Sequence, residues 1–513
     1  MELIKESVKV NKTIHKGSTQ TMVEGDIIVP DTKPDILKVL QVDAIACATQ
    51  KSTENGKASI SGKMDLKILY IPDKEGEKIK SIITSFDFSQ PIENPKITAS
   101  SLIAASATAE RAEFSLTNSR KLRIKAIAMI DYEITEPQTV EIAVDAEEEN
   151  DIEIKKENIH LQNSVDFCEH EINLRESIEI PSNQSPIREL LKLDAKITDT
   201  EYKTVTGKIV VKGAVYICML YCDETGNIAF TEEEIPFTDV IDSEDVTEDT
   251  VCDIEYVISD ISSNVTEDSD GDNRIVDIDI AICAQVKATE SSELEMICDC
   301  YEPYKKTTLI REDTELEEIV SRPSSQNTIR EIIDPQSNAP DVSGVYNAIA
   351  RPYVSKAELQ NNKLLVEGRI ETYILYLSDS AENPVYSIKK EIPFSYMLDC
   401  DISGSDLIPE IKAEIKHTSY NLNAAGEIEL RCILSLNANI IKKRRISIIG
   451  EATSEDMQSD DKDGIFIYFA QNGDSLWSVA KHYAVPQEAI LKFNNMKETD
   501  TLEAGNRLFI PRI

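Results

Sequence analysis

One nine-residue pattern recurs three times along the chain, and its spacing limits what the chain can fold into. The copies are Gly62-Lys63-Met64-Asp65-Leu66-Lys67-Ile68-Leu69-Tyr70, Gly213-Ala214-Val215-Tyr216-Ile217-Cys218-Met219-Leu220-Tyr221 and Gly368-Arg369-Ile370-Glu371-Thr372-Tyr373-Ile374-Leu375-Tyr376. In each, a Tyr follows the Gly by eight positions, and apolar side chains fill much of the second half. Successive copies lie about 150 residues apart, the length of one domain. The flanks repeat as well. A polar turn follows each Tyr (Asp73 to Glu77, Asp223 to Asn227, Ser378 to Pro384), and a second apolar run ends at Phe88, Phe237 or Phe394. Upstream, Pro30 to Asp43 matches Pro181 to Asp194, with a weaker third copy around Pro335 to Ala348. Three tandem copies of one domain account for these coincidences.

Each copy reads as mostly β. Asn55-Gly56 between apolar runs is a two-residue hairpin signal. Strict alternation at Leu122 to Ile127, Ile275 to Ile280 and Ile428 to Ile433 predicts strands with one wet face. Pro34 to Leu40 reads as a short helix packed on the sheet. Polar stretches place the expected units at 1–160, 161–322 and 323–450. An acidic linker over 451–463 then leads to a different module at 464–513.

The chain carries 93 acidic and 54 basic residues, a formal charge of −39. That balance argues against nucleic acid or an anionic membrane as partner, since phosphate contacts need clustered Lys and Arg. Met1 to Ser7 has no apolar run behind a basic start, and no stretch reaches the ~18 apolar residues of a membrane helix. The expectation is a cytosolic protein. Ten cysteines are too sparse for a disulfide scaffold, and with five histidines they offer no zinc spacing, so buried strand thiols are expected and no metal. Glu267 to Asn273 lacks the spacing and closing Glu of a calcium loop and reads as a hairpin tip. No phosphate-binding loop, zinc-protease or serine-hydrolase motif occurs. No catalytic residue and no cofactor is expected.

The last fifty residues read strand, helix, helix, strand. Asp474 is the expected N-cap for Ser475 to Tyr483, Pro486 opens a second helix, and Gly505 turns the chain into Arg507 to Ile510. From Gly464 onward there are five basic and five acidic residues, so this module is neutral on an acidic body. It resembles the LysM domain through Tyr468, Gly473 to Ala480, Tyr483, Val485, Leu491, Asn494, Leu502, Gly505, Leu508, Ile510 and Pro511, departing at Ser475 and Ala484. The resemblance implies a shallow binding groove between two loops, here Asn472, Gly473, Asp474, Ser475, Leu476 and Trp477 on one side and Asn494, Asn495 and Met496 on the other. Gly473 and Asp474 serve equally as turn and cap. Trp477, the one Trp of the chain, is either a contact residue or core.

Repeats with proline-rich openings such as Val29 to Leu37, followed by a LysM domain, resemble the SPOCS-domain proteins of spore-forming clostridia. The fold expected is therefore mainly β: three tandem SPOCS-type β-rich domains, then a small α+β (βααβ) LysM domain. The resemblance implies a non-enzymatic spore-coat adaptor in the mother cell, at the forespore surface. Its LysM domain would bind the coat-basement ATPase, stage IV sporulation protein A, and its repeats would bind other coat proteins or self-associate. The alternative is binding of peptidoglycan or another N-acetylglucosamine polymer.

Overall fold

The computed structural model describes residues 2–147, 151–335, 340–380, 384–400, 402, 406–456, 464–497 and 500–512. Residues 457–463 of the expected linker, 336–339 of the weak third opening and 381–383 of the third polar turn lie outside the described residues.

The first unit comprises β1 (Leu3–Ile28), β2 (Ile36–Glu54), β3 (Lys57–Pro72), β4 (Lys80–Glu93), β5 (Leu102–Asn118) and β6 (Lys121–Ala146). Two antiparallel sheets, ordered β1-β6-β5 and β2-β3-β4, pack face to face over one apolar core. The second unit repeats this with β7 (Glu153–Glu179), β8 (Ile187–Val205), β9 (Lys208–Asp223), β10 (Ile228–Asp242), β11 (Val251–Glu267) and β12 (Asn273–Tyr301). In the third, the long first strand is split into β13 (Lys305–Ser321) and β14 (Ser324–Ile333). Pro323, which has no N–H for the ladder, lies at the break. Both pieces pair along β19 (Ile428–Asp456), beside β15 (Gly344–Gln360), β16 (Lys363–Leu377), β17 (Val385–Asp399) and β18 (Leu407–Leu422).

The repeated motif now has a physical cause. Gly62, Gly213 and Gly368 pair across the ladder with Phe88, Phe237 and Phe394. A Cβ on any of them would sit 2.6, 2.7 or 2.6 Å from the ring. The ring therefore lies over the bare backbone, and a side chain larger than hydrogen would have to displace it. The Tyr closing each copy is buried, with its hydroxyl donating to the Pro34 carbonyl, the Gln184 side chain and the Pro340 carbonyl respectively.

Asn55-Gly56 forms the expected turn, with Gly56 at φ +83° between paired Glu54 and Lys57. The hairpin tip at 267–273 closes on Asp268, whose Oδ1 accepts the amides of Asp270 and Asp272 at 2.9 and 3.0 Å. The ten cysteines are buried or half-buried, and no disulfide joins any two of them.

Two expectations need correction. Pro34 to Leu40 is not a helix, because β2 begins at Ile36. Register shifts at Ile36/Lys38 and Val39/Gln41 break the two-residue alternation, leaving apolar spacings that mimic a helical face. The unit boundaries also move. Strands begin at Glu153 and Lys305 and end at Asp456, so residues 451–456 are the end of β19 rather than linker.

The units are not independent beads, since apolar clusters are shared among them. Leu69 and Ile79 of the first unit, Leu191 and Leu220 of the second and Tyr346, Leu375 and Val385 of the third form one cluster. Val8 and Ile142, Ile159 and Met296, and Leu316 and Ile446 form another between the long strand ends. Beside the first cluster lies a buried polar centre. Lys192, 2% exposed, pairs with Asp43 of the first unit and with Asp194 at 2.8 Å. Asp194 also faces Lys67 of the first unit at 3.4 Å, and accepts from Tyr346 and Asn347 of the third at 3.3 Å each. Burial opposes charge on Asp194, but Lys192 and Lys67 outweigh it and hold the carboxyl below its ordinary value.

The seams run in a cycle. Lys196 donates to the Ile415 carbonyl at the bulge of β18, and Arg351 to the Ala109 carbonyl at the bulge of β5, both at 3.1 Å. These join the second unit to the third and the third to the first. The matching place in β2 holds Ile45, and the first and second units are joined instead by Lys51–Glu169 and by Lys67. A cavity of about 1480 Å³ remains between the units. Its walls carry three ion pairs between units, Lys16–Glu410 at 2.5 Å, Lys287–Glu133, and Lys412–Asp253 at 3.4 Å.

Candidate docking site on the C-terminal module

The C-terminal module has the expected order, β20 (Gly464–Phe469), α1 (Leu476–Tyr483), α2 (Gln487–Asn494) and β21 (Arg507–Arg512), with β20 and β21 antiparallel. Its core is small: Val479, Ala480, Val485, Ile490, Leu508 and Ile510 are buried, with Tyr468, Leu476 and Met496 packed at the edge. A module of this size depends on its caps and clasps as much as on apolar burial.

The cap of α1 differs from the expectation. Ser475, not Asp474, is the N-cap, in a reciprocal pair with Ser478. Asp474 instead accepts from the Tyr468 hydroxyl at 2.6 Å and the Gln471 amide at 2.8 Å, which hold its carboxyl below the usual range. Pro486 is the N-cap of α2 rather than its first residue. Ala484 takes the left-handed conformation (φ 51°) that closes α1, a conformation that ordinarily favours Gly at a helix end. Asn494 is a clasp. Its side chain donates to the carbonyls of Ile490 and Phe509 and accepts the Phe509 amide, at 2.8, 2.7 and 2.7 Å.

The nine groove residues therefore divide. Asn472, Gly473, Ser475 and Asn495 are exposed on the two loops. Asp474 and Asn494 spend their polar groups on the module itself, and Leu476 and Met496 pack at the core edge. Trp477 faces the body of the protein. Its indole N–H donates to Asp299 Oδ2 at 2.8 Å, and its ring meets Tyr301 edge-on with centroids 5.2 Å apart.

Asp299 also receives Lys481 and, at 2.9 Å, Arg311. Burial disfavours its charge, but the Lys481 and Trp477 hydrogen bonds prevail and lower the carboxyl below its ordinary value. The Tyr301 hydroxyl donates to the Val485 carbonyl at 3.0 Å, and the Tyr304 amide to Ala484 at 2.7 Å. Glu153 accepts the amide and side chain of Gln487, both at 3.0 Å. The helix corner of the module is thus fastened to the ends of β7 and β12. Sequence reasoning missed Asp299, Tyr301 and Glu153, because no local pattern marks residues whose partner lies 178 or more positions away.

The family model described as SipL, SPOCS domain matches residues 35–117, 186–266 and 341–423, and the LysM domain model matches 469–511. The chain has a SipL-like architecture. Each SPOCS segment begins at the start of a hairpin sheet (β2, β8 or β15) and ends at the close of β5, β11 or β18, so the motif lies inside the matched part. The long strands that bind the units together lie mostly outside it. SPOCS and LysM are families of non-catalytic binding domains, and the pairing marks a sporulation-related coat protein or LysM-type binding protein with a glycan or protein partner. No curated protein and no solved structure matches the chain. Among the described residues, no helix is long and apolar enough to cross a membrane.

Proposed function

We propose that the protein is a non-enzymatic adaptor of spore-coat assembly, acting in the mother cell at the forespore surface. Its LysM domain is the docking head for the coat-basement ATPase, stage IV sporulation protein A. The SPOCS ring is the platform, offering its outer faces to further coat proteins or to a second copy. The observation that carries this reading is the way the head is mounted. Its helix corner is fixed on the ends of β7 and β12, while Asn472, Gly473, Ser475 and Asn495 stay open beside Phe493, which is 48% exposed. In this reading the loops 472–477 and 494–496 form part of the partner surface.

Binding of N-acetylglucosamine polymers is the second reading, favoured by the stack of Phe466 on Tyr483 (centroids 6.0 Å) with His482 against the same ring. A sugar face could lie on such a platform. Titrating the chain with the ATPase and, separately, with N-acetylglucosamine oligomers decides between them, read by isothermal titration calorimetry, since deleting the module removes Trp477, the one Trp of the chain. Saturation with the ATPase, lost on deleting residues 464–513, is the expected result. Saturation with the sugar and none with the ATPase would refute the adaptor.

A further inference from the structure

The sheet of the LysM domain has two faces with different fates. Tyr468, Leu508 and Ile510 point into the domain core. On the other face stand Ile465, Ile467 and Phe469, exposed at 59%, 55% and 60%, with Phe509 paired opposite Ile467 and Arg507 opposite Phe469. Lone exposed apolar residues are ordinary, but three consecutive outward positions of one strand, continued onto its partner, are not. Among the described residues they stay open at those exposures, and the hydrogen bonds between module and body run through Trp477, Lys481, Ala484, Val485 and Gln487 instead.

Charge says what kind of molecule fits. The two strands, Gly-Ile-Phe-Ile-Tyr-Phe and Arg-Leu-Phe-Ile-Pro-Arg, contain no acidic residue in a chain that has 93. The polar group on the face is Arg507, whose guanidinium lies 4.9 Å from the centre of the Phe509 ring. At roughly 3.3 Å per residue, Ile465 to Phe469 makes an apolar strip about 13 Å long. A glycan would ask for several hydrogen-bonding groups, and on this face of Ile and Phe side chains Arg507 is the one such side chain among those named. An acidic body of a second copy would meet one Arg and otherwise bury charge against Ile and Phe.

We propose that this outer sheet face, Ile465, Ile467, Phe469 and Phe509 with Arg507 at its end, is the principal docking surface for the protein partner. It takes an apolar segment of about five residues, flanked by a carboxylate that pairs with Arg507. The inference rests on the adaptor reading and moves its main contact from the groove loops to the opposite face of the sheet. Trp477 and the helix corner then serve as the mount that turns this face outward.

The test uses the full chain, with stage IV sporulation protein A as titrant and the Trp477 emission maximum as the check that the domain stays folded and mounted. Ile467→Glu is expected to weaken binding tenfold or more, Ile467→Ser less, and Arg507→Glu about three- to fivefold with a shallower salt dependence. Wild-type affinity in both Ile467 variants, with loss on Asn495→Ala or Ser475→Ala, would overturn the inference and leave the adaptor reading standing. No binding by the wild-type chain would overturn both. Conversion of a wild-type dimer to a monomer by Ile467→Glu, or loss of N-acetylglucosamine oligomer binding in that variant, would assign the face to a second copy or to a glycan and overturn the inference equally.

Discussion

Asp194→Asn tests whether the three units form one cooperative body. The substitution leaves Lys192, 2% exposed, with Asp43 alone, and removes the carboxylate that Lys67, Tyr346 and Asn347 share. Breaking a buried ion pair by deleting one partner costs about 3–5 kcal/mol, and the surviving Asp43 contact argues for about 3. What that does to the melting temperature depends on how much of the chain unfolds together. At about 2.1 cal/mol/K per residue, a ring of ~450 residues melting as one loses only about 3 °C. A second unit of ~150 residues melting by itself would lose about 10 °C, within one of several transitions. Differential scanning calorimetry separates the two cases. The shared clusters predict one transition and the small shift. A large shift confined to a third of the heat would refute the cooperative ring, and no shift would refute the role given to Asp194. The pH dependence follows from its lowered pKa. A carboxylate held below its ordinary 3.8 contributes fully above that value, and the contribution is lost as pH falls through the folded pKa. The gap between wild type and variant should therefore narrow below about pH 4.

Asp299→Asn should loosen the mount of the LysM domain and leave the ring's transition where it is, with a red-shifted Trp477 emission and greater acrylamide quenching; unchanged quenching would mean that Asp299 does not hold the indole. Gly368→Ala should destabilise the protein more than Gly213→Ala. The new Cβ at 368 meets the Tyr353 carbonyl at 2.1 Å as well as a ring, whereas at 213 it meets mainly the Phe237 ring, which can shift. About 1–3 kcal/mol is expected for the latter, measured by urea denaturation, and equal costs would refute the steric account.

Particular residues show how far the sequence was legible. The Gly and Phe of each repeat announced a strand pair because the constraint is local to one ladder: a ring fits only where the opposite residue has no Cβ. The order of the LysM elements was legible through turns and the helix-opening proline, which act within a few residues of where they stand. Asp474 was misread as a cap because Ser475 competes for the same helix end, and a one-residue choice turns on backbone geometry that composition does not report. Pro34 to Leu40 was misread because bulges in β2 disguise a strand's period.

The amino-acid sequence by itself determined the repeat, the β class, the neutral head on an acidic chain and the absence of familiar catalytic motifs. These are properties of pattern and composition, and they survive without knowing what touches what. Only the tertiary structure decided that three repeats close into one ring, that Lys192 and Asp194 lie buried where the units meet, and that Trp477 is turned to the body while Ile467 faces solvent. The reason is physical. Each of those facts depends on which surface a strand meets after folding, and two chains with the same local pattern could bury opposite faces. An alternating strand specifies that one side must be covered, and the packing of distant segments specifies by what.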